Sequence, residues 1–166
     1  MTTRGKFYHY GLAPWDDSRW PNFVTDKKRL ACHHCGEFWY DESYFDSLQH
    51  ARDIVGVPII VNSGHRCAEH NAAVSNQKQA TTSQHLRLAF DLSLTQFSKP
   101  PHHLLAACIT AGFTSIGLAQ TFIHVDKRCG RFWTYGKKAE AFWSQYVNIE
   151  FIRMIVQNNK VDRRGK

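Results

Sequence analysis

Two short stretches, far apart along the chain, alternate in polarity with a period of two and constrain the fold more than any other feature. In residues 88–92, Leu88, Phe90 and Leu92 alternate with Ala89 and Asp91. In residues 122–126, Phe122, His124 and Asp126 take one face, and Ile123 and Val125 the other. Alternation of this kind belongs to strands with one packed face, and it turns Asp91 away from the bulkiest packing.

The segments around them read mainly as helices. Asp41 is a cap, Phe45, Leu48 and Val55 recur at helical spacing, and Gly56 ends the run, which predicts an amphipathic helix of about 14 residues. Val57 to Val61 reads as a buried strand leading into Ser63-Gly64-His65-Arg66, and a turn at a strand's carboxyl end often carries functional side chains. Residues 76–84 read as an exposed polar loop. After Ser98, Pro100 and Pro101, the residues Leu104, Leu105, Cys108 and Ile109 predict a second helix that stops at Gly112. Arg131 to Tyr135 is expected to return beside residues 122–126 after the Cys129-Gly130 turn. Phe142, Tyr146, Ile149, Ile152 and Val156 share a helical face, which predicts a C-terminal helix over 137–159. Residues 1–40 hold Trp15, Trp20, Phe23, Phe38 and Trp39 among turn residues and read as a loop-rich arm packed by aromatics. Strands and helices mix without strict alternation, so the class is α+β, a small antiparallel sheet packed with helices.

The 166 residues suit one compact domain. Lys and Arg outnumber Asp and Glu by 21 to 14, and the net charge of +7 draws the chain toward polyanions such as cell-wall polymers or nucleic acid without choosing between them. Part of that excess lies in a basic tail, 160–166, read as solvated. The longest apolar run, around Val55 to Val61, contains Gly56 and Pro58 and is too short to span a bilayer; residues 1–10 lack the apolar stretch of a secretory signal. Synthesis in the cytoplasm without membrane insertion is therefore expected. Five cysteines without framework spacing fit a reducing compartment and free thiols.

A catalytic zinc site needs three protein ligands and one open position, and two His with one Asp supply them. His85, Asp91 and His124 offer such a set, although a lone His in a strand is more often a hydrogen-bonded structural residue. Cys32-x-x-Cys35 is half of a structural zinc motif. No second close pair is visible, so a second ion there is not expected and buried free thiols are the plainer reading.

Taken in order, Ser63-Gly64-His65-Arg66, Asn71, the Ser83-x-His85 segment leading to Ala89-Phe90-Asp91, and Phe122-Ile123-His124-Val125-Asp126 form a specific pattern. With the Cys32-x-x-Cys35-Gly36 lead-in and Gly130-Arg131-Phe132-Trp133, it resembles, over roughly residues 28–136, the zinc D-alanyl-D-alanine carboxypeptidases and phage L-alanyl-D-glutamate endopeptidases, whose fold is shared with the Hedgehog signalling domain. The resemblance implies that His85, Asp91 and His124 bind zinc, that Arg66 grips a substrate carboxylate, and that Ser83 lies near the substrate. It also implies hydrolysis of the peptide stems of bacterial peptidoglycan, as carboxypeptidase or endopeptidase. A chain of this kind without a signal suits a phage or viral lysis enzyme released through a holin-like partner, or a bacterial wall-recycling enzyme.

Two departures bear on the chemistry. Relatives usually carry one more residue, with a Gly in the turn, between the first His and the Asp. Six extended steps would part His85 and Asp91 by about 20 Å, so the chain must fold back near Leu86 to Leu88 without a glycine. Relatives often carry an acid three residues before the last ligand, where this chain has Thr121. Asp126 is then either a partner that fixes the His124 imidazole or a substitute general base, and His65 is another candidate for polarising water. Phe132, Trp133 and Tyr135 are available to stack on a ligand, with core packing expected for at least two. Two other classes stay open. One is a catalytically inactive metal-binding member serving as a cell-wall-binding or virion module, favoured by Thr121 and the short loop. The other is a basic nucleic-acid-binding zinc protein built on Cys32 and Cys35, which explains none of the later blocks, so no nucleic acid partner is expected. The sequence does not set an oligomeric state.

Overall fold

The computed structural model describes residues 6–25, 27–75 and 83–159. The basic run 160–166 and most of the polar loop over 76–84 fall outside them. Among the described residues the elements are, in chain order, β1 (Lys6–His9), α1 (Lys27–Leu30), β2 (Glu37–Tyr40), α2 (Glu42–Val55), β3 (Val61–Ser63), α3 (Ala68–Ser75), β4 (Phe90–Ser93), α4 (Pro101–Thr110), β5 (Ser115–Leu118), β6 (Phe122–Asp126), β7 (Arg131–Thr134), α5 (Lys137–Ser144) and α6 (Ile149–Asn158). The class is α+β, as the sequence predicts. A five-stranded sheet runs β3-β4-β6-β5-β7, and β1 pairs with β2 in a separate antiparallel ribbon.

The helix expected after Asp41 forms as α2. The Asp41 side chain accepts from the Ser43 N–H at 3.0 Å, satisfying a donor that the first turn leaves unpaired. Tyr44, Phe45, Leu48, Ala51 and Val55 make its buried face. In the sheet, Phe90 and Leu92 of β4 and Ile123 and Val125 of β6 enter the core on one face, and burying each contributes about 1.5–3 kcal/mol. Tyr44 meets Phe90 edge-on at 5.8 Å, joining α2 to that face.

Several local expectations change once the chain is folded. Residues 57–60 do not form a strand; β3 begins at Val61, after Pro58, which has no N–H to give a ladder. Ser93 N still donates to Ile60 O at 2.8 Å, so pairing starts just ahead of β3. Arg131–Thr134 does not lie beside β6. It pairs with β5 in parallel, the one exception to an antiparallel sheet. Its route around the end of β5 is pinned by Thr114 Oγ1, which donates to the Arg128 carbonyl at 2.9 Å. β5 itself, Ser-Ile-Gly-Leu, is buried along its whole length and so carries no alternation by which to be recognised. The single C-terminal helix becomes α5 and α6, because Asn148 accepts from the Phe151 N–H at 3.0 Å and starts a new helix. The N-terminal arm, read as loop-rich, holds the regular elements β1, α1 and β2, and its aromatics pack on the domain: Trp20 meets Phe45 of α2 edge-on at 5.3 Å and gives its indole N–H to Asp46 at 2.9 Å. Among the described residues no helix is long and apolar enough to cross a membrane.

Candidate metal centre

The register of the sheet brings the first two polar groups together. Asp91 of β4 stands directly opposite His124 of β6, and His124 opposite Gly117 of β5, which in turn faces Trp133 of β7. This row lies on the face away from the Phe90 and Val125 packing. A side chain on Gly117 would run into the Trp133 indole, so glycine is what lets that ring lie across the sheet and approach His124, with ring centroids 5.1 Å apart.

His85 arrives from outside the sheet. Ser83 caps a single 3-10 turn, Gln84–Leu86, its hydroxyl accepting from the His85 N–H at 3.3 Å. Arg87 then turns the chain at φ −108° and ψ −86°, at negative φ and without a glycine. The Arg66 N–H donates to the His85 carbonyl at 2.7 Å, and His85 Nδ1 lies 2.7 Å from the Gly64 carbonyl. A carbonyl only accepts, so Nδ1 carries the proton and Nε2 presents a lone pair.

That lone pair meets two others. His85 Nε2 is 3.2 Å from His124 Nδ1 and 3.3 Å from Asp91 Oδ1, and His124 Nδ1 is 3.0 Å from Asp91 Oδ1. On the far side of the ring, His124 Nε2 donates to Asp126 Oδ2 at 2.8 Å, which leaves Nδ1 as the free acceptor. Asp126 is fully buried and also accepts from the backbone N–H, Nε and Nη2 of Arg128 at 2.8, 3.0 and 2.7 Å. Burial opposes its charge, but His124 and Arg128 outweigh it and hold the carboxyl down to about 2. Burial likewise opposes charge on Asp91, and the two imidazoles hold it well below the usual carboxylate range. Burial also works against a cationic His124, and the two carboxylates overcome it, so the pocket favours positive charge at its centre.

The three atoms therefore form a triangle of acceptors with edges of 3.0–3.3 Å. A tetrahedral zinc with bonds of about 2.0–2.1 Å sets neighbouring ligands about 3.3 Å apart. One proton satisfies a single edge of the triangle, and one divalent ion satisfies all three. The donor set fits zinc.

A cleft of about 400 Å³ opens beside the triangle, lined among others by Arg66, Ser83, Arg128, Trp133 and Tyr135. The buried Arg66 Nε has no hydrogen-bond partner. Partial burial beside the Asp91 carboxylate pushes the Tyr135 phenol up to about 12, so it stays a neutral donor.

The family model described as Peptidase M15 matches residues 25–126. This chain belongs to the M15 peptidases. M15 peptidases are zinc-dependent, which agrees with the donor triangle. The match ends at Asp126, the residue behind His124. No curated protein and no solved structure matches the chain.

Within this M15 chain the residues singled out by sequence separate into two groups. His85, Asp91 and His124 converge, and Arg66 and Ser83 line the adjoining cleft. Asp126 and His65 do not reach it. Asp126 has both oxygens engaged, by His124 Nε2 and by Arg128. His65 is buried with Nδ1 donating to the Arg87 carbonyl at 2.8 Å, and burial lowers its proton affinity. Thr121 is exposed and places no acid at the cleft. Of the three C-terminal aromatics only Phe132 is core; Trp133 and Tyr135 line the cleft, against the expectation that at least two would be packed away. Sequence reading missed Arg128 and the Gly64 carbonyl. The first had a signal, an Arg two residues beyond Asp126; a carbonyl has none.

Proposed function

We propose that this M15 peptidase hydrolyses peptide stems of peptidoglycan, with zinc held by His85 Nε2, His124 Nδ1 and Asp91 Oδ1. The observation that carries this reading is the triangle of acceptors whose outer nitrogens are both already committed, to Gly64 and to Asp126. Zinc held there would supply Lewis-acid chemistry, lowering the pKa of a water and polarising a scissile carbonyl. The chain supplies the rest. Asp126 keeps His124 in one tautomer and orientation. Arg66 presents a guanidinium to a substrate carboxylate, and a planar fork bonds both oxygens of such a group. Trp133 and Tyr135 form an aromatic wall along which the stem lies.

The substrates of both the D-Ala-D-Ala carboxypeptidase and the L-Ala-D-Glu endopeptidase modes carry a carboxylate of the kind a guanidinium binds. Zinc-loaded protein incubated with defined muropeptides, read by mass, separates loss of a terminal D-Ala from a split between L-Ala and D-Glu. Activity that survives complete chelation contradicts the proposal.

A second reading has its own support. Among the described residues Asp91 is the sole acid lining the cleft, so no carboxylate is placed to take a proton from water. A metal-binding module that holds wall fragments without cutting them fits that absence. Zinc-loaded protein that binds sacculi and releases no fragment over long incubation establishes it in place of the hydrolase.

A further inference from the structure

Cys32, Cys35 and Cys67 form a second cluster, independent of the His85 site. Their sulfurs all lie within 4.8 Å of one another, and all three are free thiols. Cys32 and Cys35 occupy the tight turn between α1 and β2, where Cys32 N donates to Glu37 O and Gly36 N to Cys32 O, both at 2.8 Å. Cys67 comes from a distant segment, immediately before α3. The expectation of two buried thiols fails, because Cys35 is exposed.

Backbone donors gather at two of the three sulfurs. The backbone N–H groups of His34 and Cys67 each point at Cys32 Sγ at 3.4 Å, and the His70 N–H points at Cys67 Sγ at 3.4 Å. Donors aimed at a sulfur favour its anionic form, the form that binds metal. His70 Nδ1 then lies 3.4 Å from Cys32 Sγ. Tetrahedral zinc, with bonds of about 2.3 Å to sulfur and about 2.0–2.1 Å to nitrogen, sets sulfur and nitrogen ligands about 3.6 Å apart.

We propose that Cys32, Cys35, Cys67 and His70 form a second, structural zinc site. The set is a Cys-x-x-Cys pair joined to a Cys-x-x-His pair, and four protein ligands leave no position open for chemistry. This revises the expectation that no ion sits at Cys32 and Cys35: the missing half is Cys67 with His70, not another pair of cysteines. His34 also approaches, with Nδ1 3.6 Å from Cys67 Sγ. Its side chain is half-exposed, however, and its Nε2 lies 3.9 Å from Glu69, whereas His70 is less exposed and is held on α3.

The site ties the N-terminal segment to the loop that serves the first metal centre. Cys67 follows Arg66, and the His65 N–H donates to the Leu30 carbonyl at 2.9 Å, two residues before Cys32. Gly64 lies so close to Leu30 that any side chain there would meet its backbone. A metal at Cys32 and Cys67 therefore fixes the loop whose Gly64 carbonyl holds the His85 tautomer and whose Arg66 enters the cleft.

The test uses the full chain, first loaded with zinc and counted for metal, then reconstituted with cobalt and read for thiolate-to-cobalt charge transfer. Two zinc ions per chain are expected, with a strong thiolate band in the cobalt form. The double variant His85→Ala, His124→Ala keeps that band and one zinc ion. Cys35→Ser and Cys67→Ser reduce it, and His70→Ala alters it while His34→Ala does not. Should the cysteine variants fail to fold, the wild-type spectrum and the double-histidine variant still decide. The proposal is overturned if cobalt-loaded wild type shows no thiolate band, or if its thiols react with a maleimide equally fast with and without zinc. A band sensitive to His34→Ala and indifferent to His70→Ala overturns the fourth ligand. None of these readouts depends on hydrolysis, so they stand apart from the reading of the His85 site.

Discussion

Asp91 and His124 are cross-strand neighbours in an antiparallel pair, with the carboxylate oxygen 3.0 Å from the ring nitrogen. The pairing ties the metal centre to strand register. A slip of one residue between β4 and β6 would turn one strand over relative to the other, sending either Asp91 or His124 into the packing now made by Phe90 and Val125 and separating the pair. The same apolar contacts that hold the sheet therefore hold two of the three proposed ligands, and the 3-10 turn at Gln84–Leu86 has only to deliver the third.

Asp126→Asn tests the role of the acid behind His124. An amide cannot hold the imidazole as the carboxylate does, so zinc affinity at the His85 site should fall by about 10- to 100-fold in a competition titration with a chelator. A general base would behave differently, with zinc affinity unchanged and only turnover lost.

Arg66→Ala should leave zinc content intact and lower kcat/KM on stem peptides by about 10- to 100-fold, the loss expected for a charged hydrogen bond worth about 1.5–3 kcal/mol. Arg66→Lys should recover little of it, because an ammonium cannot reproduce the planar fork. Steady-state kinetics with a substrate whose carboxylate is amidated provides the check, since the variants should lose nothing further on it.

Gly117→Ala drives a methyl group into the Trp133 indole in the middle of the sheet. Overpacking of this kind costs about 1–3 kcal/mol, which denaturant unfolding will report. Displacement of Trp133 from His124 should also change the tryptophan fluorescence of the folded state.

Burial works against a proton on His124, but Asp126 and Asp91 outweigh it and raise its proton affinity, so protons compete with zinc there and affinity at this site should weaken as pH falls, by about 10-fold per pH unit for each proton displaced. Zinc titrations from pH 8 to pH 5.5 measure the slope. A flat profile would mean that the imidazoles are not the ligands.

Much of this structure was legible in the chain wherever a residue's role depends on its near neighbours. The α2 helix follows from Asp41, Phe45, Leu48 and Val55, and the faces of β4 and β6 follow from their alternation. What periodicity reports is a face and not a partner, which is why the spacing predicts β7 beside β6 and carries no mark of β5 between them. The break between α5 and α6 hid inside a continuous helical spacing, with Asn148 as its one local sign. Cys32 and Cys35 read as half a motif because Cys67 joins them, and His70 approaches Cys32, only in the folded chain. The place of Trp133 at the cleft depends on the absence of a side chain two strands away from Asp91, at Gly117, a relation that no local pattern encodes.

The most direct test of the central claim is an anomalous difference map from crystals of the zinc-loaded protein, collected on either side of the zinc absorption edge. The account predicts a peak enclosed by Nε2 of His85, Nδ1 of His124 and Oδ1 of Asp91. Zinc-loaded crystals with no peak between these atoms, or with either imidazole turned away from the carboxylate, would contradict it.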